Sequence, residues 1–219
     1  MSFGCFAVGG NILDSFFQLA YVASHPTGKK GDAKREAWTI YNETLASLRV
    51  SPDSTYKIYS ALCALENGSI SPASNSMEWN GQAYPIGQWN QNQTLSSALR
   101  YSVNWYFQAL DQDVGMDSLS EFYAKIDYGN QNLSGGINNF WLESSLKVSA
   151  IEQVELLQKL YANEYQFAPE NIEVKRFAGS YCQTDLLIPG FDKGKGSKVA
   201  VVPGKKRFVS GSFRCLCIY

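Results

Sequence analysis

Helical periodicity in the middle of the chain constrains the fold more than any other feature of the sequence. Apolar residues recur there at three- and four-residue intervals, a spacing that predicts amphipathic helices. Asn67-Gly68 supplies a C-terminal stop for the first helix. We therefore expect a helical body, whose helices cover residues 55–66, 95–110, 117–126 and 150–161.

The segments outside these helices have a different character. Residues 24–36 predict a polar, glycine-containing connector, and residues 67–93, rich in Asn, Gln, Gly, Ser and Trp, predict an ordered aromatic loop. Helical periodicity disappears after Arg176, where glycine and lysine recur. Candidate strands are short and few: residues 38–41, 199–202 and 208–219.

Length and composition predict one domain spanning residues 1–219, with 45% hydrophobic residues to build a core. The net charge of −1 conceals a split. Nine basic and two acidic residues lie between Lys175 and Tyr219, which leaves ten basic and eighteen acidic residues in 1–174. No apolar run is long enough for a membrane helix and no basic leader opens the chain, so neither is expected.

Cysteine and histidine usage limits the chemistry. The spacing of the cysteines does not match zinc sites, so we expect free thiols and no metal. His25 is the only histidine and lies in a polar turn, which argues against most Ser-His-Asp and Cys-His schemes. The five cysteines are Cys5, Cys63, Cys182, Cys215 and Cys217.

Ser54-Thr-Tyr-Lys57 at the start of the first predicted helix is the sharpest candidate site. Positions i and i+3 share a helix face, so the lysine amine can reach the serine hydroxyl. A lysine acts as a base only where burial or modification removes its charge. The alternative is an ordinary helix cap beside a solvated lysine. Ser144-Ser-Leu-Lys147 repeats the spacing, and we interpret it as surface.

Three further features are each compatible with a structural role. Ser102 lies on or beside an apolar helix face, where its hydroxyl needs a partner, and a bond back to its own helix is the alternative. Tyr128-Gly129-Asn130 predicts a polar turn at a helix end. Trp141 is by default a core aromatic whose indole N–H needs an acceptor if buried.

In combination, these motifs resemble the penicillin-recognising serine acyltransferases, in particular the class D β-lactamases and the penicillin-sensor domain of the BlaR family. The resemblance rests on Ser54-Thr-Tyr-Lys57, Ser102-Val-Asn104, Tyr128-Gly129-Asn130 and the stretch 131–149 around Trp141. It covers residues 38–174 and leaves 1–37 and 175–219 divergent. It implies an α/β (α+β) transpeptidase-like fold, with a helical region packed on an antiparallel sheet. Because the two ends of the chain diverge from the family pattern, we expect that sheet to contain few strands.

The resemblance also implies roles for these residues. Ser54 would be the nucleophile acylated by a β-lactam, Lys57 its base, and Ser102 a proton carrier to the leaving nitrogen. Lys57 would be carbamylated by carbon dioxide, with no other cofactor, and the N–H of Trp141 would donate to that carbamate. Tyr128, Gly129 and Asn130 would support the substrate site.

Two departures from the family pattern bear on function. Asn104 stands where class D enzymes usually carry valine, and a polar amide near the lysine competes with the carbamate, which favours a long-lived acyl adduct. The family's Lys-Thr-Gly strand is missing, and Lys195, in Lys193-Gly-Lys195-Gly196-Ser197, is the nearest substitute for the lysine that grips the substrate carboxylate.

The function predicted is an enzyme, a class D-type serine hydrolase that is acylated by β-lactams at Ser54. The alternatives are a sensor that retains the adduct and an inactive remnant. The expected partner is a β-lactam antibiotic. The acidic region 38–174 carries no nucleic-acid-binding motif, so no nucleic-acid partner is expected. The resemblance implies residence outside the cytoplasm or in the cell envelope, and the sequence makes no prediction of oligomeric state.

Overall fold

The computed structural model describes residues 3–9, 18–27, 35–174 and 200–202. The strands are β1 Phe3–Gly9, β2 Gln18–Thr27, β3 Arg35–Tyr41, β4 Ser76–Met77, β5 Gln93–Thr94 and β6 Ala200–Val202. The α-helices are α1 Glu43–Ala46, α2 Lys57–Asn67, α3 Leu95–Tyr101, α4 Asn104–Val114, α5 Met116–Lys125 and α6 Ala150–Ala162. Single 3₁₀ turns occupy Asp53–Tyr56, Gly87–Trp89 and Asn171–Val174.

The chain divides into two compact units. The sheet unit comprises the described parts of residues 1–50, 148–162 and 179–219, and the helical unit comprises the described parts of 51–147 and 163–178. Every candidate site residue from Ser54 to Trp141 belongs to the helical unit. That the whole chain forms one domain stays a prediction.

The sheet unit is built on four strands in the order β3-β2-β1-β6. The β1–β2 and β2–β3 pairs are antiparallel, and β6 adds a short parallel pair to β1. Helices α1 and α6 lie against β1 and β2. This arrangement confirms the predicted class of helices on a largely antiparallel sheet, but it has more strands than the sequence predicted. Strands β2 and β3 also extend into residues 24–36, which we expected to be a connector.

Helix α2 forms the centre of the helical unit. Its residues Lys57 to Leu65 are all buried, so the helix is covered on every side rather than on one face. Helices α3, α4 and α5 and the 3₁₀ turn 171–174 lie around it. Gly68 ends α2 in the left-handed conformation, with φ of 82°, as the Asn67-Gly68 stop predicted.

The single helix predicted over 95–110 is two helices in the structure. Helix α3 ends at Tyr101, Ser102 adopts the left-handed conformation with φ of 54°, and α4 begins at Asn104. Continuous apolar spacing predicted one helix, yet the left-handed residue redirects the chain between them. The prediction that Ser102 lies on or beside a helix face is therefore corrected to a helix C-cap.

The remaining predicted elements are largely confirmed. Helices α5 and α6 match the segments 117–126 and 150–161 within one residue at each end. The aromatic loop is ordered: Trp105 Nε1 donates to the carbonyl oxygen of Trp89 at 2.9 Å, and the Tyr106 hydroxyl donates to that of Asn75 at 2.7 Å. Residues 208–219, a candidate strand, lie outside the described residues. Among the described helices, none has the length and apolar character needed to cross a membrane.

Gly135 sits where the chain approaches itself closely, in the loop that leads to Trp141. A Cβ at this position would collide with Ser144 Oγ and lie 3.0 Å from Phe140 Cα. We predict that Gly135→Ala lowers the free energy of unfolding by about 1–3 kcal/mol, as overpacking does. Gly87→Ala is the matched control, because a Cβ there has nothing within 4 Å. Equal denaturant midpoints for the two variants would contradict the prediction.

Candidate active site

Ser54 and Lys57 meet as the helical spacing predicted. Ser54 Oγ lies 2.8 Å from Lys57 Nζ, and both side chains are buried, 6% and 2% exposed. Ser54 lies inside the 3₁₀ turn 53–56, whose N-cap is Pro52, so it is not the ordinary helix cap that was the alternative. The hydroxyl and the amine are therefore paired with each other in the protein interior.

Ser102 reaches the same pair from the junction between α3 and α4. Its hydroxyl donates to Ser54 Oγ at 2.7 Å and lies 2.8 Å from Lys57 Nζ. The alternative, a hydroxyl bonded back to its own helix, is not what the geometry shows. The left-handed backbone at Ser102 also points its carbonyl oxygen at Lys57 Nζ, 3.1 Å away.

Asn104, at the first residue of α4, completes the surroundings of the amine. Its Oδ1 lies 2.6 Å from Lys57 Nζ. A carbonyl oxygen and an amide oxygen only accept hydrogen bonds, so those of Ser102 and Asn104 take up two N–H groups of the lysine. A neutral amine has two N–H groups and one lone pair. The lone pair is then left facing the hydroxyls of Ser54 and Ser102.

Burial sets the protonation of this lysine. Loss of hydration lowers the pKa of Lys57 to about 7, and the nearby carboxylate of Asp53 only partly opposes that shift. At neutral pH a large fraction of the amine is therefore uncharged. This satisfies the requirement that the sequence left open, namely that burial remove the charge before Lys57 can accept a proton.

Asp53, which precedes Ser54, forms hydrogen bonds to the loop that carries Trp141. Its backbone N–H donates to the carbonyl oxygen of Trp141 at 3.1 Å, and its Oδ1 accepts the N–H of Glu143 at 3.1 Å. Asp53 has φ of 45°, an unfavourable left-handed conformation for a non-glycine residue. Strain of this kind persists only where surrounding contacts hold it, and it concentrates at functional sites.

Trp141 is fully buried beneath the lysine. Its ring centroid is 5.2 Å from Lys57 Nζ, and the ring stacks on Tyr56 at 5.1 Å. The indole N–H donates to Asp111 Oδ2 at 3.1 Å. With Lys57 as the free amine, a carboxyl group accepts this N–H, and its expected donation to a carbamate on Lys57 stays a prediction.

Asp111 was not singled out from the sequence, although it is completely buried. Burial raises its pKa to about 7, against the hydrogen bonds it accepts from Ser60, Tyr56 and Trp141. One sequence signal was available. Asp111 follows Asn104 by seven positions and Phe107 by four, which places an acidic residue on the buried face of a helix.

The Tyr128-Gly129-Asn130 turn makes several contacts with neighbouring parts of the chain. Asn130 Oδ1 accepts the N–H of Lys147 at 2.8 Å, and Asn130 Nδ2 donates to the carbonyl oxygen of Ser145 at 2.9 Å. The Tyr128 ring packs on Tyr59 at 5.1 Å. These are the contacts of a structural turn, and a role in supporting the substrate stays a prediction.

Two further predictions concern Lys195 and a metal site. Lys195, the weak candidate for holding a substrate carboxylate, lies outside the described residues. Among the residues that are described, no three His, Cys, Asp or Glu side chains come together as a metal site would require. That the protein works without a metal stays a prediction.

Comparison with known proteins places these motifs in one family. The family model of the penicillin binding protein transpeptidase domain matches residues 18–186, a wider range than the 38–174 inferred from the motifs. Regulatory protein BlaR1 of Bacillus licheniformis is 44% identical over 142 residues, which cover 65% of this chain and 24% of that protein. β-Lactamase OXA-10 of Pseudomonas aeruginosa is 40% identical over 58% of this chain and 47% of its own.

Solved structures of a BlaR sensor domain and of a class D β-lactamase also superpose on this chain. The C-terminal domain of the Bacillus licheniformis BlaR penicillin-receptor superposes with a TM-score of 0.62 at 45% identity, covering 64% of this chain and 57% of that one. The class D β-lactamase BAT-2 superposes with a TM-score of 0.63 at 35% identity, covering 73% and 63%. The chain thus spans about a quarter of the BlaR1 relative and about half of OXA-10. This protein belongs to the penicillin-binding transpeptidase domain family, related to both BlaR-type sensors and class D β-lactamases.

Proposed function

We propose that this protein binds β-lactams covalently through Ser54 and retains the acyl adduct. Ser54 Oγ attacks the lactam carbonyl carbon while its proton passes to the neutral amine of Lys57. A carbon–oxygen bond forms and the lactam carbon–nitrogen bond breaks. The proton then reaches the departing nitrogen, which leaves an ester on Ser54.

The contacts of Ser102 support a proton path for this step. Its hydroxyl lies within 2.8 Å of both Ser54 Oγ and Lys57 Nζ, so it can take a proton from the lysine and deliver it to the lactam nitrogen. General acid–base catalysis requires heavy-atom distances of about 2.6–3.2 Å, a condition that these three groups already meet.

The position of Asn104 is the single observation that carries retention of the adduct. Hydrolysis of the ester needs a base that activates water, and a carbamate on Lys57 would be such a base. Asn104 Oδ1 lies 2.6 Å from Nζ, where its partial negative charge disfavours an anion on that nitrogen. We therefore favour the sensor alternative, and the cell-envelope location that the resemblance implies stays a prediction.

A hydrolase is the second candidate. The similarity to OXA-10, and the 37% identity over 136 residues to the probable β-lactamase YbxI of Bacillus subtilis, favour it. In that case carbon dioxide would add to the Lys57 amine, and the resulting carbamate would activate water for hydrolysis of the ester. The two candidates share the acylation of Ser54 and differ only in the following step.

We predict that a fluorescent penicillin labels the wild-type protein and that Ser54→Ala abolishes the label, because the nucleophilic oxygen is lost. Gel fluorescence after denaturation measures the adduct. Ser144→Ala is the matched control, since Ser144 begins the chain's other Ser-x-x-Lys sequence, and it should label as the wild type does. Labelling of Ser54→Ala at the wild-type level would assign the nucleophile elsewhere.

We predict that the rate of labelling rises with pH through about 7, the pKa of Lys57. Below that pH the ammonium has no lone pair for the serine proton, and above it the amine is free, so the rate then levels off. Lys57→Arg should slow labelling by about 10²–10⁴-fold at every pH, because a guanidinium stays protonated. Lys147→Arg is the control at the second motif. A rate independent of pH between about 5 and 9 would contradict Lys57 as the base.

A chase experiment separates the two candidates. After labelling, excess unlabelled penicillin is added and the remaining fluorescence is followed with and without bicarbonate. We expect the label to persist in both, because Asn104 disfavours the carbamate. Rapid loss that bicarbonate accelerates would establish the hydrolase instead.

A further inference from the structure

Asp111 is a buried acid that the proposed acylation does not use. Its side chain is completely buried on α4 and accepts three hydrogen bonds. Ser60 Oγ and the Tyr56 hydroxyl donate to Oδ1 at 2.6 and 3.0 Å, and Trp141 Nε1 donates to Oδ2 at 3.1 Å. Burying a carboxyl group is costly unless it is hydrogen-bonded, so these three donors account for its presence in the core.

The Asp111 cluster, consisting of Asp111, Tyr56, Ser60 and Trp141, lies directly behind the lysine. Tyr56 precedes Lys57 in the chain, and its ring stacks on Trp141 at 5.1 Å with only 11° between the planes. The Trp141 ring in turn lies 5.2 Å from Lys57 Nζ. Through the indole N–H, Asp111 therefore fixes the aromatic ring that lies beside the amine.

The indole has a single N–H, and that donor can serve one strong acceptor at a time. An anionic group formed on Lys57 would need donors to replace lost hydration, because an unpaired charge is very unfavourable in a buried site. Asn104 presents an oxygen to Nζ, and Asp111 holds the N–H of the indole beside it. Two residues on the same helix therefore act against an anion at this nitrogen.

We infer that Asp111 is a positioning residue that withholds the Trp141 N–H from Lys57, and that it acts together with Asn104 to keep the lysine as a free amine. This rests on the proposed function, in which the free amine leaves the ester on Ser54 without a base for hydrolysis. The reaction prevented is the addition of carbon dioxide to neutral Nζ, in which a nitrogen–carbon bond forms and the amine proton leaves to solvent. Replacing Asn104 alone is then insufficient to convert the protein into a hydrolase.

A double-mutant cycle tests this inference on the full chain. Wild type, Asn104→Val, Asp111→Ala and the double variant are incubated with ¹³C-bicarbonate, and the lysine carbamate is observed by ¹³C NMR. Only the double variant should show the carbamate signal. Its acyl adduct should also decay at least about tenfold faster than in either single variant, because a hydrogen bond to a charged group contributes that much or more.

Two further variants separate positioning from a structural role. Tyr106→Phe removes another buried hydrogen bond of α4, that to the Asn75 carbonyl oxygen, and should lower stability without changing the carbamate signal or the adduct lifetime. In the Asn104→Val background, Asp111→Asn should give the same carbamate signal and adduct lifetime as Asn104→Val alone. The reason is that the amide oxygen of the new side chain still accepts the indole N–H, while its NH₂ group donates to the hydroxyls of Ser60 and Tyr56.

Several outcomes would overturn the inference. One is a strong carbamate signal in Asn104→Val alone, a result that needs no change at Asp111 and so does not depend on the stability of Asp111→Ala. Another is a folded double variant that acylates but shows neither the signal nor faster decay. Failure of the proposed function is distinguishable, since the wild-type protein would then take up no fluorescent penicillin at Ser54.

Discussion

The burial of one amine determines the properties of this site. Lys57 opens a helix that is covered on every side, and its Nζ lies among oxygens of Ser54, Ser102 and Asn104. Removal from water lowers the pKa of this lysine to about 7, and that shift converts an ordinary cation into a proton acceptor at neutral pH. Both the proposed acylation and the proposed persistence of the adduct depend on it.

Two strained backbone positions, held by surrounding contacts, lie next to that amine. Asp53 and Ser102 adopt left-handed conformations that non-glycine residues rarely occupy. At Asp53 the conformation is maintained by bonds to Trp141 and Glu143, and at Ser102 it aims both the hydroxyl and the carbonyl oxygen at Lys57. Asp111 then fixes the aromatic ring beneath the lysine. The site is therefore assembled from loops and helix ends that rigid helices support.

Local patterns predicted much of the helical unit. The stop at Gly68, helix α5 and the aromatic loop followed from spacing and composition, because each depends on neighbouring residues. The break at Ser102 did not, since the apolar spacing continues through it and the left-handed turn is fixed by distant contacts. The strands β1 and β2 were missed for a similar reason, because strand pairing joins segments far apart in sequence and no local signal identified them. Strand β6, in contrast, falls within the predicted strand 199–202.

The sequence by itself predicted that Ser54 can pair with Lys57, because three positions along a helix bring two side chains to the same face. The contact between the two side chains was established by the structure. The sequence also determined that Ser102, Asn104 and Trp141 belong with that pair, through the resemblance of their motifs to one family. Only the tertiary structure decided that the lysine is buried and that the indole N–H is held by Asp111. The physical reason is that hydration and hydrogen-bond partners depend on residues tens of positions away, about which periodicity carries no information.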